Sequence, residues 1–134
     1  MTFLDSNLFV YYVDERDSHK SQIAAKIVGN AIDSPHYLIS TQVLNEFANV
    51  ALRKLLMPED EAREYVEEFM QIKVVEQRID WTCKALEIKK RYGLQFYDSL
   101  LIAAAEASGC TEILSEDLSD GQIYCGVKVT NPFK

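Results

Sequence analysis

The chain has 134 residues, 48% of them hydrophobic and 26% charged, which is ordinary for a soluble protein and enough for one domain with a real core. Its 14 basic and 21 acidic residues leave a net charge of −7, whereas a protein that holds polyanions by Coulomb attraction alone is normally basic. A nucleic-acid substrate would therefore need a local basic patch or a bound metal for most of its phosphate contact, and a basic partner is equally compatible with the charge.

The N-terminus MTFLDSN lacks the basic region of a signal peptide, and the longest apolar run, Leu100 to Ala105, is far too short to span a bilayer. Cys83, Cys110 and Cys125 are widely spaced, odd in number and form no C-x-x-C pair. That pattern suits reduced thiols in a cytoplasmic protein better than a disulfide framework or a zinc site.

In chain order, Thr2 to Leu4 reads as a short strand ending at Asp5, and Ser6 to Tyr12 as a short helix. Ser18 to about Ala31 carries Ile23, Ala24, Ile27, Val28 and Ala31 at helical spacing, closed by Ser34-Pro35. His36 to Ser40 is a strand by its branched and aromatic content. Thr41 to Leu56 is a strongly periodic helix, and Pro58 with Glu59 and Asp60 starts another that runs to about Met70. Ile72 to Val75 is a strand, and Asp80 caps a helix ending near Gly93. A helix opening at Asp98 stops at Gly109. Glu112 to Leu114 and Val127 to Val129 are the last strands. No repeat or linker interrupts residues 1–134, which read as a single domain.

Strands separated by helices indicate an α/β domain with a mostly parallel sheet, whose site lies outside the carboxyl ends of the strands. Asp5 in FLDSN and Asp117 in ILSED stand at two such ends. On a helical wheel at about 100° per residue, Leu100, Leu101, Ile102, Ala103, Ala104, Ala105 and Ala107 cover nearly every direction, leaving only Ser99 and Glu106 as a polar strip. A helix apolar all round is a buried one, so Asp98 stands at the mouth of a buried helix. On the helix TQVLNEFANVALRKLL, Glu46 lies about 40° beyond Val50, at the edge of the apolar face.

Each acid has a plain structural explanation. Asp5 suits a turn after a strand, Glu46 a helix boundary, Asp98 an N-cap worth ~1 kcal/mol, and Asp117 a solvated loop. As a set they carry a different meaning. Two unit charges about 4 Å apart repel by roughly 4 kcal/mol at an effective dielectric of about 20, so a convergent set needs protons or cations. Oxygen-only donors favour a hard divalent ion such as Mg²⁺ or Mn²⁺, and such an ion suits phosphodiester hydrolysis.

FLDSN, a glutamate in the second major helix, YDSLLIAAA and ILSEDL, in that order and spacing, resemble a PIN domain and, more narrowly, the VapC-type ribonuclease toxins of bacterial type II toxin–antitoxin pairs. The resemblance covers essentially the whole chain, including GVKVTNPF. It implies a three-layer α/β/α sandwich around a short, mostly parallel sheet. Matched by position, it implies Asp5, Glu46, Asp98 and Asp117 as metal ligands and catalytic groups, with Ser6, Asn7 and Ser115 in support. Many relatives place another acid where this chain has Ser119, which leaves Asp120, one position on, as a weaker candidate.

The resemblance further implies an Mg²⁺- or Mn²⁺-dependent endoribonuclease that uses metal-activated water and leaves a 5′-phosphate and a 3′-hydroxyl. A homodimer follows, together with a cognate antitoxin seated on the arm from Thr41 to Met70, where Leu52, Leu56 and Met57 are available. The alternative is a catalytically silent PIN-like module that binds RNA or protein.

Other chemistries fit poorly. A haloacid-dehalogenase-like phosphatase needs an acid where Asn7 stands. A receiver domain needs its phospho-acceptor where the chain has Glu76-Gln77. His19 and His36 lie in no nucleophile motif, and the five glycines form no phosphate loop. The basic residues Lys84, Lys89, Lys90, Arg91, Arg53 and Lys54 read as solvated helix faces, and Tyr11, Tyr12 and Tyr97 as packing or, less simply, as surfaces on which bases stack.

Overall fold

Three-residue strands cannot stand alone, and this chain joins six short ones into a single sheet. The computed structural model describes all residues from Met1 to Lys134. The strands are β1 (Thr2–Leu4), β2 (Tyr37–Ser40), β3 (Lys73–Val75), β4 (Glu112–Leu114), β5 (Ile123–Tyr124) and β6 (Val127–Thr130). Their spatial order is β3-β2-β1-β4-β6-β5. All neighbours are parallel except β5 and β6, which form a hairpin.

Parallel pairing requires crossovers, and helices supply all but the one from β4 to β6, which is a loop with β5: α1 (Ser6–Val13), α2 (Ser18–Ala31), α3 (Thr41–Arg53), α4 (Glu59–Phe69), α5 (Ile79–Tyr92) and α6 (Phe96–Ala107). Helix α1 packs on α2 and α3, α3 on α4, and α5 on α6, which in turn reaches β4 and β6. The outcome is the expected three-layer α/β/α arrangement. Chain order runs outward from β1 through β2 to β3, then resumes on the other side of β1 at β4. The crevice between the carboxyl ends of β1 and β4 is therefore the switch point at which open α/β sheets bind ligands.

The boundaries follow local chemistry. Ser40 caps α3, its hydroxyl accepting from the Val43 N–H at 3.4 Å, and Gly93 ends α5 in the left-handed region at φ 72°, where a glycine carries no Cβ penalty. Helix α3 stops at Arg53, short of the expected Leu56, because Leu56 itself turns left-handed at φ 51° before Pro58. Asp80 is not a cap. Arg78 holds that position, and Asp80 lies in the first turn, paired with Arg78 at 3.1 Å.

Strand β5 escaped the sequence reading because two residues carry no period. It exists because Cys125 (φ 51°) and Gly126 (φ 78°) make a two-residue turn with both φ values positive, the geometry that closes tight hairpins. Tyr92 Oη accepts the Cys125 N–H at 3.1 Å and steadies that strained residue.

Leu100 to Ala105 are all buried, as their wheel requires. Ser99, expected on the polar strip, is fully buried as well. Its hydroxyl donates to the Gln95 carbonyl at 3.0 Å, which satisfies it inside the core. On the other side of the sheet the core is aromatic. The Phe69 ring, at 0% exposure, lies 4.6 Å from Phe9, 5.0 Å from Phe47 and 5.5 Å from Tyr12. Phe69→Ala is expected to cost about 3–5 kcal/mol of stability, read from urea denaturation; a loss below about 1 kcal/mol would show that this cluster does not hold α1, α3 and α4 together.

Candidate active site

Register places the first acid. Leu4 pairs with Leu114, so Asp5 and Ser115 leave the sheet side by side, and the Asp5 N–H donates to the Leu114 carbonyl at 3.1 Å. Asp5 is only 5% exposed. One carboxylate oxygen accepts the Ser115 hydroxyl at 2.6 Å and the other the Ser6 N–H at 2.7 Å. Asp5 thus ends β1 and also caps α1. Burial nevertheless dominates and pushes its pKa up to about 6 against those two hydrogen bonds, with the charges of Glu46 and Asp117 adding to the rise.

The other three acids stand around it. Glu46, half-buried on α3, accepts from the Gln42 amide at 3.0 Å. Its pKa is raised by burial, against the Gln42 bond, with the charges of Asp98 and Asp117 adding to it. Asp98 lies in the first turn of α6, whose cap position is Gln95, and it makes no capping bond. The N-cap role is thereby excluded. A carboxylate near a helix N-terminus is ordinarily stabilised in its charged form, yet the Asp98 pKa is raised by burial and by Asp117. Asp117 is exposed and steered from both sides. The Asn7 amide donates to its carboxylate at 3.3 Å, and its own N–H donates to Ser115 Oγ at 3.1 Å.

These four acids therefore share one electrostatic neighbourhood at the switch point. No three of them stand together in ready-made metal-ligating geometry. The donor set consists of oxygens alone, which suits Mg²⁺ or Mn²⁺. Asn7 Oδ1, buried without any hydrogen-bond partner, is a further oxygen left for a ligand. Asp120 belongs elsewhere: its carboxylate accepts the Asn131 N–H at 2.8 Å and faces Lys134 at 3.9 Å.

The sequence model of the PIN domain family matches residues 2–119. The chain belongs to the PIN domain family. Solved structures agree on the fold. A toxin–antitoxin complex from Klebsiella pneumoniae superposes with a TM-score of 0.72 at 17% identity, covering 98% of each chain. A VapC toxin of Mycobacterium tuberculosis described as cleaving the sarcin–ricin loop gives 0.70 at 16% identity, covering 87% of this chain and 90% of that one. A DNA-bound VapBC from Salmonella typhimurium gives 0.70 at 18% identity, covering 98% and 97%. Comparison with curated proteins gives no match.

Several supports of this PIN-domain site were not singled out in the sequence. Gln42 was legible in principle, since it stands four residues before Glu46 on one helix face. The anchor of the β4 loop was not, because its parts are far apart in the chain. Lys20 on α2 forms an ion pair with Glu116, and the Tyr11 hydroxyl donates to the same carboxylate at 2.7 Å. Glu116, beside Asp117, is thus neutralised and held, and the Tyr11 ring packs on Phe133 at 5.1 Å.

The Asp5 shift has a measurable sign. A folded pKa of about 6 against an ordinary 3.8 means the folded state holds more protons than the unfolded state between those values. Stability of the metal-free protein should therefore fall by about 3 kcal/mol as pH rises through that window and stay lower above it. Asp5→Asn is expected to flatten this dependence and to melt higher than the wild type at pH above about 7 in EDTA. Parallel Tm–pH profiles for the two proteins would contradict it.

Proposed function

We propose that this PIN-domain protein is a divalent-cation-dependent endoribonuclease, and that it is the toxin of a VapBC-type pair. The observation that carries the reading is the set of four carboxylates, Asp5, Glu46, Asp98 and Asp117, in one field at the sheet's switch point, three of them with raised pKa values. Folding alone does not favour such a set, and a hard cation relieves it.

Asp5, Glu46, Asp98 and Asp117 would hold Mg²⁺ or Mn²⁺. When bound, that ion supplies a lowered pKa for water and positive charge opposite the phosphate oxygens. The protein's own groups set the geometry. Ser115 and Ser6 fix both oxygens of Asp5, Asn7 turns Asp117 toward the site, and Gln42 holds Glu46. Phosphate contact away from the cation has a local source despite the net charge. A depression of about 400 Å³ beside the acids is lined by Arg16 and Lys54 together with Asn7, Glu46 and Asp117. Asp14 engages the Arg16 Nε and Nη2 atoms at 2.8 and 2.7 Å, which leaves three of the five guanidinium N–H donors for an anion. Water attack in line with the leaving oxygen would yield a 5′-phosphate and a 3′-hydroxyl.

The toxin role draws on the structural neighbours, which include VapBC and toxin–antitoxin complexes. At the ends of α3 and α4, Leu52 is 40%, Leu56 80% and Met70 58% exposed, an apolar surface for an antitoxin segment to cover; Met57, by contrast, packs on the core. A homodimer acting in the cytoplasm completes the proposal. No helix is long and apolar enough to cross a membrane.

Asp98→Asn is the test. With capping excluded, the substitution should leave melting intact while cleavage of transfer and ribosomal RNA by Mn²⁺- or Mg²⁺-loaded protein falls at least about a hundredfold, and EDTA should abolish wild-type cleavage. Wild-type rates in Asp98→Asn, or cleavage that survives chelation, would overturn the reading.

A further inference from the structure

On the opposite flank of Glu46 from Arg16 and Lys54 lies a second cavity, of about 370 Å³, lined by Gln42, Asn45, Glu46, Asn49, Gln77, Tyr97 and Leu100. Its volume lies within the range of small-molecule sites. Its chemistry is unlike the rest of the surface. Asn45 and Asn49 follow Gln42 at helical spacing on α3, and Gln77 faces them from the segment between β3 and α5. Tyr97 is 66% exposed, although it belongs to the first turn of α6, a helix otherwise buried almost all round. Its ring meets Phe96 edge-on at 5.3 Å, which leaves a face free. Tyr11 and Tyr12, by contrast, are tied down through their hydroxyls to Glu116 and Glu68.

An exposed aromatic ring beside carboxamides is the combination with which proteins take up an unstacked base: the ring stacks on the base, and each amide offers both a donor and an acceptor to its edge. The one charged side chain in the lining, Glu46, is negative and repels a phosphate, and only Tyr97 and Leu100 of the seven lining residues are hydrophobic, too few to seat an apolar helix. We infer that this cavity is a nucleobase-binding subsite, with Tyr97 as the stacking platform and Asn45, Asn49 and Gln77 reading the base edge, so that it sets which nucleotide of a single-stranded RNA lies next to the acids. The inference rests on the RNA-hydrolase reading. Because Glu46 lines both cavities, a strand with its backbone toward Arg16 and Lys54 and one base toward Tyr97 crosses the carboxylates between them.

The experiment measures binding without turnover. Fluorescence anisotropy of a short labelled oligoribonucleotide is recorded in Ca²⁺, which takes the same oxygen donors, for wild type, Tyr97→Ala, Tyr97→Phe and the pair Asn45→Ala with Asn49→Ala. The scan is repeated with oligonucleotides abasic at single successive positions. Tyr97→Ala is expected to weaken binding about fivefold or more and Tyr97→Phe to restore it. The loss should vanish for one abasic position only. The asparagine pair should even out affinity among oligonucleotides that differ at that position.

Mn²⁺ affinity by calorimetry should be unchanged in all variants, since none of the three substituted residues belongs to the acid set. Wild-type affinity in Tyr97→Ala, or an equal loss with every abasic probe, overturns the inference. So does a shift of Tyr97→Ala from dimer to monomer in light scattering, which would assign the face to a protein contact. If wild-type protein binds these oligonucleotides but cuts none in Mn²⁺ or Mg²⁺, the nuclease reading fails while the base subsite is still decided by the binding scan.

Discussion

Like charges brought together at the carboxyl edge of a small sheet are the constraint to which the rest of the structure answers. Asp5 cannot be moved outward without losing its place at the end of β1, and it cannot ionise cheaply while it is 5% exposed. The surrounding groups limit that cost. The Ser115 hydroxyl and the Ser6 N–H serve both oxygens, and the start of α1 directs its positive end at the same carboxylate. What these bonds leave uncompensated is chiefly the cost of burial, to which the charges of Glu46 and Asp117 add; under the proposed function a divalent ion would offset both.

The fold sets this problem through connectivity. Strands β1 and β4 are adjacent in space but separated by most of the chain, and their last paired residues, Leu4 and Leu114, bring Asp5 and Ser115 to the same level. Helices α3 and α6 then deliver Glu46 and Asp98 from two other layers. Four segments distant in the chain must all be correctly packed before the acids can share a field. The aromatic cluster around Phe69 on one side of the sheet and the apolar α6 on the other are in this sense part of the site.

Much of this was legible in the sequence, for identifiable reasons. Apolar pattern and capping signals located all six helices, and branched or aromatic composition between them located five of the six strands. The four acids were legible as a set because each interrupts a context that is otherwise apolar or ends an element. Three things stayed hidden. Helix starts displaced by two or three residues, as at Gln95 and Arg78, altered the meaning of Asp98 and Asp80, since a carboxylate in the first turn is not a cap. Strand β5 depends on a turn geometry that Cys125 does not advertise. The pairing of Lys20 with Glu116 joins positions that only the fold brings together, and no local rule anticipates it.

That pairing has a mechanical consequence. Glu116 precedes Asp117 directly, and it is gripped by a lysine from α2 and a tyrosine from α1. The loop that bears Asp117 is thus bolted to two helices and is not free to drift on its own. A shift of α2 would pass through Lys20 to Glu116 and so to Asp117, whereas Asp5 is held by the sheet and by the start of α1. The separation of those two carboxylates would then follow how α2 sits, which couples an outer helix to the pocket through a single ion pair.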